Sequence, residues 1–369
     1  MTNQKTVGLV VAPGVTERLA ENLIQEMPKM LSTHYDHQQE WIFDLVTDPL
    51  TGFAESVDEI FGKVADYHDK RQWDYVIAIT DLPMFADKQV MALDINMENG
   101  AAIFSYPAFG WRPVKKRFKH AIYNIIQELN EAEQESRNYD NNKQIENSVK
   151  KQFPLSKIDK ETIYMKETDS YHLRYLSSSR SRGMFRLVSG MTFANNPLNM
   201  MASLSNIVAI AFTTGAFGLV FTTMWQMAYN FSMWRLFGIS IIAIIGMLIW
   251  IMMSHDLWEP VNKSNHKHIT WLYNLTTIMT LIFAIIIYYI ILYLLFLIAE
   301  IVLLPSGFLG QQVGLKGPAG IDLYLSIPWF AASISTVPGA IGAGLLNDEL
   351  IKESTYGYRQ RVRYEEQRR

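Results

Sequence analysis

The chain contains no cysteine. That excludes disulfides, iron–sulfur clusters, thiolate-bound zinc and a cysteine nucleophile. It says little about compartment, since a cytoplasmic domain needs no disulfides. Charge of one sign is also lacking. The formal net charge is −3 over 369 residues, so the chain as a whole does not advertise nucleic-acid binding. Several catalytic signatures are missing. The first apolar run ends in Pro13-Gly14 with neither Gly-x-Gly-x-x-Gly nor Gly-Lys-Ser/Thr, so it is no phosphate loop. Gly-x-Ser-x-Gly is absent from the first half and His-Glu-x-x-His from the whole chain. The start, MTNQKTVGLVVAPG, has no basic stretch and only a short apolar run. No secretory signal is expected, and the first domain is expected to stay in the cytosol.

What the chain does have is asymmetry. Residues 1–186 are mixed and charge-rich, and long apolar runs take over from Asn206 to Leu346. A bilayer core takes about 20 apolar residues in a helix. Four runs qualify: Ile207–Trp225, Leu236–Met253, a stretch within Tyr273–Leu304, and Leu323–Leu346. The third exceeds one span by roughly ten residues and has no Gly or Pro to break it, so it reads as one long helix. The fourth contains Pro328, Pro338, Gly339, Gly342 and Gly344, which suggests close helix packing or a kink. Arg180, Arg182 and Arg186 precede the first run; Lys263 and Lys267 separate the second and third; Arg359, Arg361, Arg363, Arg368 and Arg369 crowd the tail. The other two loops carry only Arg235 and Lys316. This bias fits four spans with both termini in the cytosol of a bacterial plasma-membrane protein. Trp225, Trp234, Trp258 and Trp271 sit near span ends, as interfacial aromatics do.

The first half alternates. Strands are expected at Val7–Ala12, Glu40–Val46 and Tyr75–Thr80, with helices over 16–33 and 54–70 between them. Such an order favours a mostly parallel sheet. Val90–Asn96 and Ala101–Tyr106 flank MENG, a hairpin signal, and a third helix runs from about Arg112 to Glu135. The pattern closes on itself there, so residues 1 to about 130 are expected to fold without the spans. The division is then 1–137 as an α/β domain, 138–182 as a polar linker with a small hairpin around ETDS, 183–199 as an interfacial helix, 200–350 as the four-span membrane domain and 351–369 as a basic cytosolic tail. For 183–199 the alternative is packing on the soluble domain.

In a parallel sheet, ligands gather at the carboxyl ends of strands. Thr16, Asp48 and Asp81 follow three such ends, where they could line a rim for a polar ligand or a cation. Asp-Pro and Asp-x-Pro also initiate turns, and Thr16 can cap a helix. His34 and His37 flank a loop and, without further convergent ligands, read as exposed histidines rather than a metal site. Glu300 lies inside an apolar run, a turn and a half from Pro305. It is either a functional intramembrane carboxyl or a side chain that snorkels to the interface. Asn274, Thr276, Thr277 and Thr280 make a polar start to the third run, lining a pathway or bonding a neighbouring helix.

VGLVVAPGVTERLAENL, WDYVIAITDLPM, AAIFSYPAFG, RLVSGMTFANNP, TTGAFGLVFTTMW and ESTYGYRQRVR together resemble a family of Gram-positive membrane proteins found in firmicutes and actinobacteria. The resemblance covers nearly the whole chain. It implies a multi-pass membrane address and supplies no activity or site residues. Some members carry the label 5,10-methylenetetrahydrofolate dehydrogenase, an activity for which this chain lacks the dinucleotide fingerprint. The segment from Val76 to Gly110 also resembles the strand layout before the zinc helix of archaemetzincins. Where His-Glu-x-x-His would fall, the chain reads YNIIQ, Tyr123–Gln127; the resemblance therefore implies a metal-free relative.

The reading that follows is a membrane-anchored cytosolic ligand-binding or regulatory module, with a small oligomeric channel or transporter as the alternative. A hydrolase or transferase using Asp48 and Asp81 has no nucleophile–base set behind it. The expected partners are the lipid bilayer, an unidentified small-molecule or protein ligand and, for a channel, further copies of the chain. No nucleic acid is expected, and the sequence names no cofactor.

Overall fold

A computed structural model describes residues 3–34, 39–52, 54, 56–111, 114–133, 151, 158–166, 170–260, 267–343, 351–352 and 355–367. The chain forms two compact units. Unit 1 holds Met1–Ala194 and Gln360–Arg369, and unit 2 holds Asn195–Arg359.

Unit 1 opens with β1 (Asn3–Val11), α1 (Val15–His34), β2 (Gln39–Thr47), α2 (Val57–Arg71) and β3 (Tyr75–Thr80). The start of α2 is set locally. Ser56 stands in extended backbone and its hydroxyl accepts the amide of Glu59, an N-cap that stops the helix from beginning earlier at Ala54. Strands β4 (Met84–Ala86), β5 (Gln89–Asn96) and β6 (Ala101–Ser105) follow, then α3 (Val114–Glu133), β7 (Ile158–Met165), β8 (Ser170–Ser177) and α4 (Arg180–Ala194).

The eight strands make one sheet in the order β2-β1-β3-β6-β5-β8-β7, with β4 beside β5. Three ladders are parallel, β1 with β2, β1 with β3 and β3 with β6. The remaining ladders are antiparallel. The sheet is therefore mixed, not mostly parallel. The expected hairpin forms at β5 and β6, and Gly100 turns it at φ 66°, a conformation that favours glycine.

The second hairpin, expected as a separate piece in a linker, belongs to the same sheet. Strand β8 runs along β5, pairing Asp94 with Arg174 and Ile95 with Leu173. It buries Leu173, Tyr175 and Leu176. The fold of unit 1 thus does not close at α3. Without β8, the apolar strand β5 would be an open edge, a template for aggregation. A fragment ending at residue 137 is expected to be insoluble or to unfold without a cooperative transition, whereas 1–194 should melt cooperatively by circular dichroism. Cooperative unfolding of the shorter fragment would contradict this.

Helix α4 covers the segment expected to lie on the membrane surface. It buries Leu187, Gly190 and Met191 against the turn after β6. A Cβ on Gly190 would stand 2.0 Å from the Pro107 carbonyl oxygen, so only glycine permits the approach. Phe193 stacks on Trp111 at 4.8 Å. The helix packs on the sheet unit, the alternative weighed from the sequence, and Phe185 remains 73% exposed.

Unit 2 contains α5 (Pro197–Gly218), α6 (Thr222–Asn230), α7 (Met233–Ser254), α8 (Lys267–Leu303), α9 (Ser306–Gln312) and α10 (Ile321–Ala343). Among the described residues, three helices are long and apolar enough to cross a membrane: Met233–Ser254, Lys267–Leu303 and Ile321–Gly342. A fourth crossing arises only if the pair Leu204–Gly218 and Thr222–Asn230, bent by 93°, counts as one. The run expected as a straight first span, Ile207–Trp225, therefore breaks at 219–221. Its break is held by Trp225, whose indole N–H donates to the Leu219 carbonyl at 2.8 Å. The third run forms the single long helix expected.

Within unit 2, α10 packs against α5, α7 and α8. Small residues allow this: a Cβ on Gly339 would come 2.5 Å from the Tyr288 hydroxyl and 3.1 Å from the Ala211 methyl. Contacts gather at two ends. At one, Asn195 donates to Thr280 (3.0 Å) and accepts from Arg359 (2.7 Å), and Asn274 pairs with the backbone of Glu259. At the other, Trp225 meets Phe308, Gln226 donates to the Gln312 carbonyl, and the Tyr324 hydroxyl donates to the Leu304 carbonyl.

Candidate functional site

The strand order reverses at β1: β2 lies on one side of it and β3 on the other. Such a switch point opens a crevice at the carboxyl ends of the strands. Pro13 follows β1, the turn Pro49–Gly52 follows β2 and Asp81 follows β3. These are the strand ends singled out in the sequence, and the structure fills the crevice between them with an arginine.

Arg363 lies on α11 (Tyr356–Gln367). Its Nη1 donates to Asp81 Oδ1 at 2.9 Å and its Nη2 to Asp81 Oδ2 at 3.1 Å. The same two nitrogens donate to the carbonyls of Gly52 (2.9 Å) and Pro13 (2.7 Å). The planar guanidinium matches a carboxylate with two parallel bonds, which an ammonium cannot do. Arg363 is 7% exposed and Asp81 4%. Gly52 makes the room, since a Cβ there would sit 2.1 Å from Nη1. Next to this pair, the Tyr106 hydroxyl is pushed up to about 12 by burial first and by the Asp81 charge second.

The other two candidates point elsewhere. Thr16 is fully buried and its hydroxyl donates to the Ala12 carbonyl at 2.5 Å, so it ties α1 to the end of β1. Asp48 makes the turn and also holds a neighbouring helix. Its Oδ1 accepts the Leu50 amide (2.9 Å) in an Asx turn. Its Oδ2 accepts the Tyr67 hydroxyl at 2.8 Å and lies 3.4 Å from Lys63. Burial, then the Asp48 hydrogen bond and charge, push the Tyr67 hydroxyl up to about 12. Asp48 thus anchors α2 to the rim, and Asp81 grips the cation.

Arg363 escaped the sequence reading, which treated the tail arginines as a topology signal. It stands 282 positions from Asp81, and nothing local separates it from Arg359 or Arg361.

Glu300 faces inward on α8. It is 0% exposed, and neither carboxylate oxygen has a hydrogen-bond partner. A shallow cleft between α1 and α3 is lined by Glu26, Lys29, Lys116, Lys119 and His120. Hydrogen bonds from Lys119 and Lys115 lower the Glu26 carboxyl, while burial and then Lys116 and Lys119 lower His120. In α3, Asn124 of the YNIIQ stretch is buried. Among the described residues no three of His, Cys, Asp or Glu come together to hold a metal. His37 lies outside the described residues, as does the side chain of His34. Comparison with known proteins finds no matching family model, curated protein or solved structure.

Proposed function

We propose that the protein is a membrane-anchored regulatory module whose sheet unit binds a guanidinium group at the strand-end crevice, its ligand in this state being Arg363 of its own tail. The observation that carries the reading is the four-acceptor grip on Arg363, with Gly52 shaped to admit it. The chain leaves unit 1 after Ala194 and returns to it at Gln360. Whatever loosens the returning tail is therefore felt at the crevice, and a competing guanidinium at the crevice releases the tail.

The same return supports four crossings. If unit 1 lies on one side of a bilayer, a chain that departs from it and rejoins it crosses an even number of times. Three long apolar helices leave one crossing to be supplied, and α5, at about 1.5 Å per residue, is long enough to supply it. Helix α6, turned by 93°, then lies along the interface. The Lys/Arg bias puts unit 1 and both termini in the cytosol. Single cysteines can be introduced into this cysteine-free chain. In intact cells an impermeant thiol reagent is expected to label Lys316→Cys and to spare Lys267→Cys until the cells are opened. Equal labelling of both would reject the topology. Lys263, at the same loop, lies outside the described residues.

The latch is tested with Arg363→Ala in the full-length protein. The variant should lose its tail to trypsin faster than the wild type, and millimolar ethylguanidinium, but not ethylammonium, should raise its melting temperature by occupying the emptied crevice. A variant that neither loosens nor responds differently from wild type would remove the proposal. The alternative, a channel or transporter, draws its support from the buried, unpartnered Glu300.

A further inference from the structure

We propose that Glu300 is a proton-binding site inside the membrane part: a carboxyl carried neutral in the bundle, which exchanges its proton with water. This deepens the transport reading by naming the proton as the ion concerned.

Among the described helices of unit 2, charged residues are few. Glu300 is 0% exposed and both oxygens lack a partner. Helices α5, α6 and α9 contain no Asp, Glu, Lys, Arg or His. Helix α7 contributes one cation, Arg235, which is exposed and stacked on the Phe231 ring at 4.2 Å. In α10 the only charged residue is Asp322, also exposed. On α8 itself Lys267 and His268 stand at the opposite end, about 50 Å away at 1.5 Å per residue. Lys316, between α9 and α10, is exposed. Among the described residues two tyrosines, Tyr293 and Tyr324, interact electrostatically with Glu300, and neither can neutralise it.

An ionised carboxylate in such a place would stand unpaired in a medium of low dielectric, which strongly disfavours the charged form. A bound proton removes that cost. A metal cation does not fit, because hard cations demand six or more oxygens, and no three His, Cys, Asp or Glu converge among the described residues. A neutral acid in this position still leaves its O–H and C=O without a bond among the described residues, a cost that a group kept for function explains.

Hydroxyls continue from Glu300 into the bundle. Tyr293 and Tyr289 precede it by seven and eleven residues, which at 3.6 per turn places all three on one helix face. The Tyr289 hydroxyl lies 2.6 Å from Ser333 Oγ and 3.0 Å from Ser240 Oγ. Ser240 in turn accepts the Trp329 indole N–H at 2.6 Å. Three helices thus share one polar cluster, on the same side of α8 as the acid.

Infrared difference spectroscopy on the full-length protein in lipid nanodiscs tests this, using the proton itself as the probe. At neutral pH the wild type should show the carbonyl band of a protonated carboxylic acid that Glu300→Gln lacks. The band should shift in heavy water and disappear as the pH is raised. Two results would overturn the proposal: no such band at neutral pH, or a band that never exchanges in heavy water, which would mark an inert buried acid. If Glu300→Gln fails to fold, Glu300→Asp, which keeps the acid and moves the band, supplies the assignment. Proton flux into vesicles containing the protein decides the transport reading separately: wild-type flux equal to that of empty vesicles rejects transport, while the infrared result still decides the site.

Discussion

Asp81→Ala is expected to destabilise unit 1 by about 3–5 kcal/mol, the cost of leaving a buried charge without its partner. The substitution takes from the Arg363 guanidinium the carboxylate that meets it with two bonds and leaves it the Gly52 and Pro13 carbonyls. Arg363→Ala leaves the buried Asp81 carboxylate unpaired and should cost the same, about 3–5 kcal/mol, less whatever water entering the emptied crevice restores. The double variant should resemble Arg363→Ala alone, since Asp81 has then lost the group it served. Thermal unfolding of the full-length protein, followed at unit 1, gives the three values. Additive losses in the double variant would show that the two residues act independently. Gly52→Ala offers a route that leaves both charges in place. Its methyl would meet Nη1 at 2.1 Å, and the guanidinium must withdraw. The tail of this variant should become as open to trypsin as that of Arg363→Ala.

Asp94→Ala should be as damaging, again by about 3–5 kcal/mol, for a different reason. Asp94 is 0% exposed on β5 and accepts from two neighbours on β8. Its Oδ1 lies 2.8 Å from His172 Nδ1 and its Oδ2 2.8 Å from Arg174 Nε. The carboxylate is the polar tie that fixes the register of the second hairpin against the sheet. Hydrogen exchange should therefore rise chiefly in β7 and β8, while β1 and β3 keep their protection. Exchange rising equally throughout would mean that the tie stabilises the sheet as a whole and sets no register. Asp94→Asn retains the shape and one acceptor, and should fall between wild type and Ala.

These two carboxylates mark where reading the chain stops. Asp94 sits in MALDIN, an apolar strand in which one acid has no evident purpose until β8 is laid beside it with Arg174 opposite. Asp81 sits in a turn that its proline explains well enough. The partners are 80 and 282 positions away, and no local rule of propensity or spacing connects residues at that range. The helices and strands, by contrast, followed from neighbours. Helix α1 appears over Val15–His34 where 16–33 was expected, and β3 over the same six residues, Tyr75–Thr80. The one local surprise in the apolar half, the break at 219–221, comes from a tertiary-style contact on a short loop, Trp225 folding back on Leu219.

By itself the sequence determined most strands and helices of the first half, the mixed-then-apolar division and the long third apolar helix, because periodicity and hydropathy act between residues that are close along the chain. It also placed three polar groups at strand ends. The tertiary structure alone decided what those groups do. It sent Thr16 into the core, gave Asp48 to α2, closed Asp81 on a tail arginine and turned Glu300 inward, where neither oxygen has a partner among the described residues. It also joined the second hairpin to the main sheet. The physical reason is the same throughout. A side chain's charge and shape are local, but the partner that satisfies them is chosen by which distant strand or helix the fold brings within about 3 Å.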